Sequence, residues 1–97
     1  MSFKELLQED QRLVILRSLH EIDGMEANES ILDLCLETYG HKVSRDSVRT
    51  LMAWLQEQGL ITIRDVAGCQ IASLTGRGED VATGQARVPG VKRPRAK

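Results

Sequence analysis

Aromatic side chains are scarce in this chain: Phe3, Tyr39 and Trp54 are the whole set. Aliphatic residues must therefore fill its core, and Trp54 is the one large filler available. Cysteine is scarce too. Cys35 and Cys69 stand far apart, which argues against a disulfide framework and fits reduced, buried thiols in a cytosolic setting. Proline occurs only at Pro89 and Pro94, so no proline interrupts a helix before then. No apolar run approaches the roughly 20 residues of a membrane span. The opening MSFKELLQED is too charged for a secretory signal. A cytoplasmic protein without membrane association is expected.

Bases are few in the first third. Residues 1–37 hold nine acids and three bases, residues 38–78 hold three acids and five bases, and residues 87–97 hold five bases and no acid. The start of the chain thus repels phosphate, while its middle and its end attract it. That split suits a nucleic-acid binder with an acidic back. It equally suits an acidic domain with a basic docking tail.

What is present is organised around SRDSVRTLMAWLQEQGLI, residues 44–61. Ser44 is an N-cap, and Val48, Leu51, Met52 and Leu55 recur at helical spacing along one face. Gly59 supplies a helix stop, and Leu60, Ile61 and Ile63 follow as strand residues. The opposite face carries Arg45, Arg49, Thr50, Ala53 and Gln56, of the slim, cationic or hydrogen-bonding kinds that a DNA groove accepts.

Before that helix, residues 3–23 read as a first helix, with an irregular stretch at Glu9–Gln11 that allows a start near Gln8. Gly24 ends it, and Met25–Ala27 form a short connection that allows one strand-like turn. Asn28 caps a second helix with Glu29 in its first turn, where a negative charge favours the dipole. Ile31, Leu32, Cys35, Leu36 and Tyr39 form that helix's buried face, and Gly40–Val43 is the turn into helix three. Leu60–Val66 and Cys69–Leu74 pair as a hairpin around Ala67-Gly68, with Ile71 on the inner face. Thr75 caps a last helix, Gly76–Thr83, closed by Gly84. The expected fold is mainly α with a small β-hairpin. It is a winged helix-turn-helix over residues 1–85, with a three-helix core, a two-stranded wing and a short C-terminal helix. Residues 86–97 read as a basic, proline-containing tail, extended or disordered.

The segments NESIL (28–32), GHKVSRDSVRTLMAWLQEQGLI (40–61), LTGRGEDVATG (74–84) and VPGVKRP (88–94) resemble a family of small Mu-like bacteriophage and prophage proteins. These are described as winged-helix proteins similar to ArsR-type regulators. The resemblance spans nearly the whole chain. It implies a winged-helix fold, a phage origin and DNA binding, with no defined operator or effector. Such proteins are similar in setting to others encoded near phage packaging and morphogenesis genes, which implies an alternative role in assembly.

The expected function is duplex DNA binding through helix three, as a homodimer, in phage gene control. Arg45, Arg49 and Thr50 enter the major groove, with Ser44, Ser47 and Ala53 beside them. Lys42 and Arg77 meet phosphates, Arg77 from a helix N-terminus. Arg64 is the outward base of the wing. The wing tip, Asp65–Gly68, offers no base, so a weak wing contribution is expected. Lys92, Arg93 and Arg95, with Arg87 and Lys97, either follow the DNA backbone, dock on a partner or merely solubilise. Asp46, in the first turn, argues against close phosphate approach. The alternative is a protein-interaction module that binds a phage protein in packaging or assembly without reading DNA.

The ArsR-like resemblance raises metal sensing, but Cys35 stands alone in LDLCLE, and Cys69, His20 and His41 form no spaced ligand set with it. No metal or cofactor is expected. GCQIASLTGRG lacks the spacing and lysine of a phosphate loop, and no carboxylate pair or nucleophile arrangement has a recognisable motif, so no enzymatic reaction is expected.

Overall fold

The computed structural model describes residues 2–95. Ser2 caps α1 (Phe3–Glu21) by accepting the Glu5 N–H at 3.1 Å. That cap is why α1 begins at Phe3 and not near Gln8. Ile22 then turns extended, two residues before the expected end, and Asp23–Met25 form a short 3₁₀ turn in which Gly24 has φ 82°.

The stretch expected as a short connection or one strand-like turn contributes a paired strand, β1 (Glu26–Asn28). Asn28 is both its last residue and the cap of α2 (Glu29–Thr38), accepting the Ile31 N–H at 2.9 Å. Ser44 caps α3 (Arg45–Glu57), accepting the Ser47 N–H at 3.1 Å. Gly59, at φ 75°, stops α3, and the Leu60 N–H returns to the Leu55 carbonyl at 3.0 Å. β2 (Ile61–Val66) and β3 (Cys69–Leu74) follow, then α4 (Gly76–Thr83), which Thr75 caps by accepting the Gly78 N–H at 3.0 Å. The chain is therefore an α+β domain of four helices and one three-stranded antiparallel sheet, in the order β1-β3-β2. The expected two-stranded hairpin is extended by β1.

The sheet register sorts the side chains. Ala27, Ala72 and Ile63 lie opposite one another, as do Asn28, Ile71 and Arg64. Ala72 is fully buried, and Ile63 and Leu74 pack against the core. Since strand residues alternate faces, Ile71 points to the other side, away from the core face expected for it.

The core is aliphatic. Ile15, Leu16 and Leu19 of α1 meet Leu32 and Leu36 of α2, Val48, Met52 and Leu55 of α3, and Leu60, Ile61 and Val81. Each fully buried aliphatic of this size stabilises by roughly 1.5–3 kcal/mol. Truncating one, such as Leu55→Ala, costs about 2–5 kcal/mol. Gly78 is required where α4 meets this core: a Cβ there would stand 2.0 Å from the Leu60 carbonyl oxygen.

The C-terminal segment departs from expectation. Val88 is buried in the core, and Ala86 and Val91 pack against it. Arg12 donates to the Gly90 carbonyl at 2.9 Å while its guanidinium stacks 4.0 Å over the Trp54 ring. The Lys92 N–H donates to the Glu9 carbonyl at 3.2 Å. The segment is docked at least to Lys92, because Val88 and the Trp54 face supply the apolar contact that its own composition lacks. The folded unit thus extends past residue 85. The tail's Lys97 lies outside the described residues.

Candidate nucleic-acid interface

The centre of the α3 surface is an acid. Glu29, in the first turn of α2, has a side chain with no exposed area. Arg49 donates from Nε to both of its oxygens, at 3.0 and 3.1 Å. Arg45 donates to it from Nε, and the Gln70 backbone N–H donates at 2.7 Å. The Arg49 hydrogen bonds lead the effect on its titration; burial opposes them, and Gln70 and Arg45 reinforce them, so the carboxyl is lowered from 4.5 to about 2. Arg49 is raised in turn by its hydrogen bond to Glu29. Its Nη2 also reaches the Gly68 carbonyl at 2.7 Å. One carboxylate thereby ties α2, α3 and β3 together, and Arg49 ties α3 to the wing turn.

Sequence reading gave Glu29 only a dipole role. A signal was present: Glu29 stands three and seven residues before Leu32 and Leu36, on the face that both bury. Its cationic partners lie 16 and 20 residues away, which local spacing does not connect.

The candidate residues divide. Lys42, Arg45, Ser47, Thr50 and Ala53 are exposed at the start and along the outer face of α3. The Arg45 side chain is 61% exposed and that of Arg49 35%. Among the described residues, the terminal nitrogens of Arg45 make no hydrogen bond. Ser44 is committed to capping, and the Thr50 hydroxyl donates to the Asp46 carbonyl at 3.0 Å. Gln56 is committed too, since its Oε1 accepts the Ile63 N–H at 2.7 Å. Asp46 is exposed beside these residues.

The other candidates stand elsewhere. Arg64 lies on the outer face of the sheet, paired with Glu26 at 2.8 Å. That hydrogen bond, with one from Ser73, holds the Glu26 carboxyl below its ordinary value. Arg77 donates to the Gln58 carbonyl at 3.1 Å, at the far end of α3 from Arg45. Lys92 pairs with Asp10 at 3.4 Å on α1, where His41 Nε2 sits 2.6 Å from the other Asp10 oxygen. Burial raises the Asp10 carboxyl, but His41 and Lys92 together outweigh it and leave it below its ordinary value. Arg93 and Arg95 are exposed. Cys35 and Cys69 are free and half-buried, in place of the full burial expected. Among the described residues no group of three His, Cys, Asp or Glu could hold a metal, and no helix is long and apolar enough to cross a membrane.

No family model matches the sequence. Over 91 residues, 94% of either chain, it is 58% identical to uncharacterized protein gp26 of Escherichia phage Mu. Over 78 residues, 79% of this chain and 76% of the relative, it is 56% identical to an uncharacterized protein of Haemophilus influenzae. The chain belongs to the Mu-like phage protein family that includes gp26 of phage Mu.

Proposed function

We propose that this domain is a winged helix, built like the ArsR-type regulators, whose α3 docks on duplex DNA in phage gene control. The order helix, strand, helix, helix, strand, strand, helix and the sheet order β1-β3-β2 support the architecture. The observation that carries the DNA reading is the pairing of Arg45 and Arg49 to Glu29. It fixes both guanidinium groups at the exposed end of α3, beside Ser47, Thr50 and Ala53, and leaves the Arg45 terminal nitrogens facing outward.

In this reading Arg45 meets a guanine edge or a phosphate, Lys42 meets a phosphate, and Ser47, Thr50 and Ala53 allow close approach. Asp46 opposes this and confines the approach to one side of the helix. The wing contributes little, since Arg64 is held by Glu26 and the turn offers no base. Arg93 and Arg95 add sequence-independent attraction. The mechanism is occupancy, with no covalent step. Titration of labelled duplex DNA across a salt series tests it. About three phosphate contacts give a slope of log affinity on log salt near −3. Salt-independent binding, or none, contradicts the reading.

A further inference from the structure

The polar run Glu9–Arg12 interrupts the apolar pattern of α1. Two segments far apart in the chain are gathered on that one helical turn. The first is the docked tail. The Lys92 N–H donates to the Glu9 carbonyl, Lys92 Nζ lies 3.4 Å from Asp10 Oδ1, and Arg12 donates to the Gly90 carbonyl. The second is the connection between α2 and α3. His41 is buried there, with Nε2 2.6 Å from Asp10 Oδ2 and Nδ1 3.5 Å from Gln11 Nε2. The two oxygens of Asp10 are thus divided, one to the tail and one to the segment that leads into α3.

The tail is shaped for its seat. Residues 88–91 form a turn closed by the Val91 N–H on the Val88 carbonyl at 3.1 Å. Pro89 stands second in it and Gly90, at φ 97°, third, the pattern of a type II turn. Those two residues pre-set the turn, so it seats and lifts as a unit. Seated, Val88 enters the core and Gly90 covers Trp54. Among the described residues the Gly90 carbonyl is the one hydrogen-bond partner of the Arg12 guanidinium, whose Nε is buried without any. Lifting the turn therefore removes the Arg12 hydrogen bond, uncovers Trp54 and withdraws Lys92 from Asp10 in one motion.

We infer that the tail is a strap whose seating holds the start of α3, with Asp10 as the positioning residue between them. His41 lies just ahead of the Ser44 cap and Trp54 lies in the third turn of α3. The run that holds the strap therefore also holds α3 at both places. With the strap lifted, the aliphatic core stays closed, but Asp10 is free to turn from His41. Residues 41–44, which present Lys42 and cap α3, then loosen. This coupling stands apart from the DNA reading; its effect on DNA affinity rests on that reading.

Amide-resolved NMR of the full chain tests the strap in both directions, because coupling between two sites is reciprocal. Gly90→Ala, which changes no charge, should move the amides of His41 and Val43 together with that of Trp54. His41→Leu should in turn move the amides of Gly90 and Val91. The amides of Thr62 and Ser73, paired in the sheet, should stay in place and report an intact fold. Val88→Ala loosens the strap by a second uncharged route and should repeat the Gly90→Ala pattern; it decides alone if Gly90→Ala does not fold. In an Asp10→Asn background, loosening the strap should still move Trp54 but no longer His41. Shifts that stop at the tail in the strap variants, or at residues 40–44 in His41→Leu, overturn the inference. So does transmission that survives Asp10→Asn. On duplex DNA, Gly90→Ala should bind about fivefold or more weakly at one salt concentration. Its salt slope should not change, because no cation is lost. Full affinity in Gly90→Ala overturns the strap's control of α3. A chain that binds no DNA contradicts the α3 reading alone, and the NMR result then decides the strap.

Discussion

Glu29 and Arg49 form a two-point contact: the arginine Nε lies 3.0 and 3.1 Å from the two carboxylate oxygens, and its Nη2 continues to the Gly68 carbonyl. The side chain thus spans from α2 across α3 to the turn between β2 and β3. Its place in α3 is set by the fold, so its charge is partly neutralised before any ligand arrives.

Removing both cations exposes how much Glu29 needs them. Arg45→Ala plus Arg49→Ala leaves a buried carboxylate with only the Gln70 N–H as partner, which costs on the order of 3 kcal/mol. Arg45→Ala alone leaves both Arg49 hydrogen bonds and costs about 1 kcal/mol. Urea unfolding of the three proteins measures both numbers, and equal midpoints would show that the buried acid is not what holds the elements together.

Acid should unfold the protein through the same group. The folded Glu29 carboxyl is lowered from 4.5 to about 2, so its contribution is fully present above pH 4.5 and is lost as pH falls toward 2. Asp10 and Glu26 are shifted in the same direction. Melting temperature followed from pH 6 to pH 2 should fall through that window, and Glu29→Gln should make the fall shallower. An unchanged profile in Glu29→Gln would assign the acid sensitivity to other carboxylates.

Gly90 is where the docked tail passes over Trp54 and Arg12. Its φ is 97°, and a Cβ would stand 2.6 Å from Trp54 Cζ2. Gly90→Ala therefore costs about 1–3 kcal/mol through overpacking and backbone strain. Tryptophan emission should shift to the red as the segment lifts from Trp54. An unshifted spectrum with unchanged stability would mean that the tail does not shield the ring.

Much of the fold was legible in local sequence. Ser44 and Gly59 bounded α3, Thr75 and Gly84 bounded α4, and the hairpin was marked by apolar runs around Ala67-Gly68. These signals act over a few residues, where capping and turn chemistry are decisive. What escaped depends on distant partners. β1 has three residues, too few for a periodic signal, and is made a strand by pairing with residues 71–73. Glu29 is buried because Arg45, Arg49 and Gln70 meet there. The tail docks because Trp54 and Arg12 present a surface for it, which its own prolines and bases do not announce. In the candidate interface, the exposure of Lys42, Ser47, Thr50 and Ala53 followed from helical period. The engagement of Arg45, Arg49 and Gln56 did not.

The α3 reading is tested most directly by fluorescence anisotropy of the full chain on mixed-sequence duplex DNA at low and moderate salt. It is compared with Ala53→Glu and with Arg93→Gln plus Arg95→Gln. Ala53 is exposed on α3 and makes no hydrogen bond through its side chain, so Ala53→Glu should leave stability within about 0.5 kcal/mol. Salt-sensitive binding that persists in the tail variant and falls roughly tenfold or more in Ala53→Glu is the predicted result. Binding unchanged by Ala53→Glu, or abolished by the tail variant alone, would contradict docking through α3.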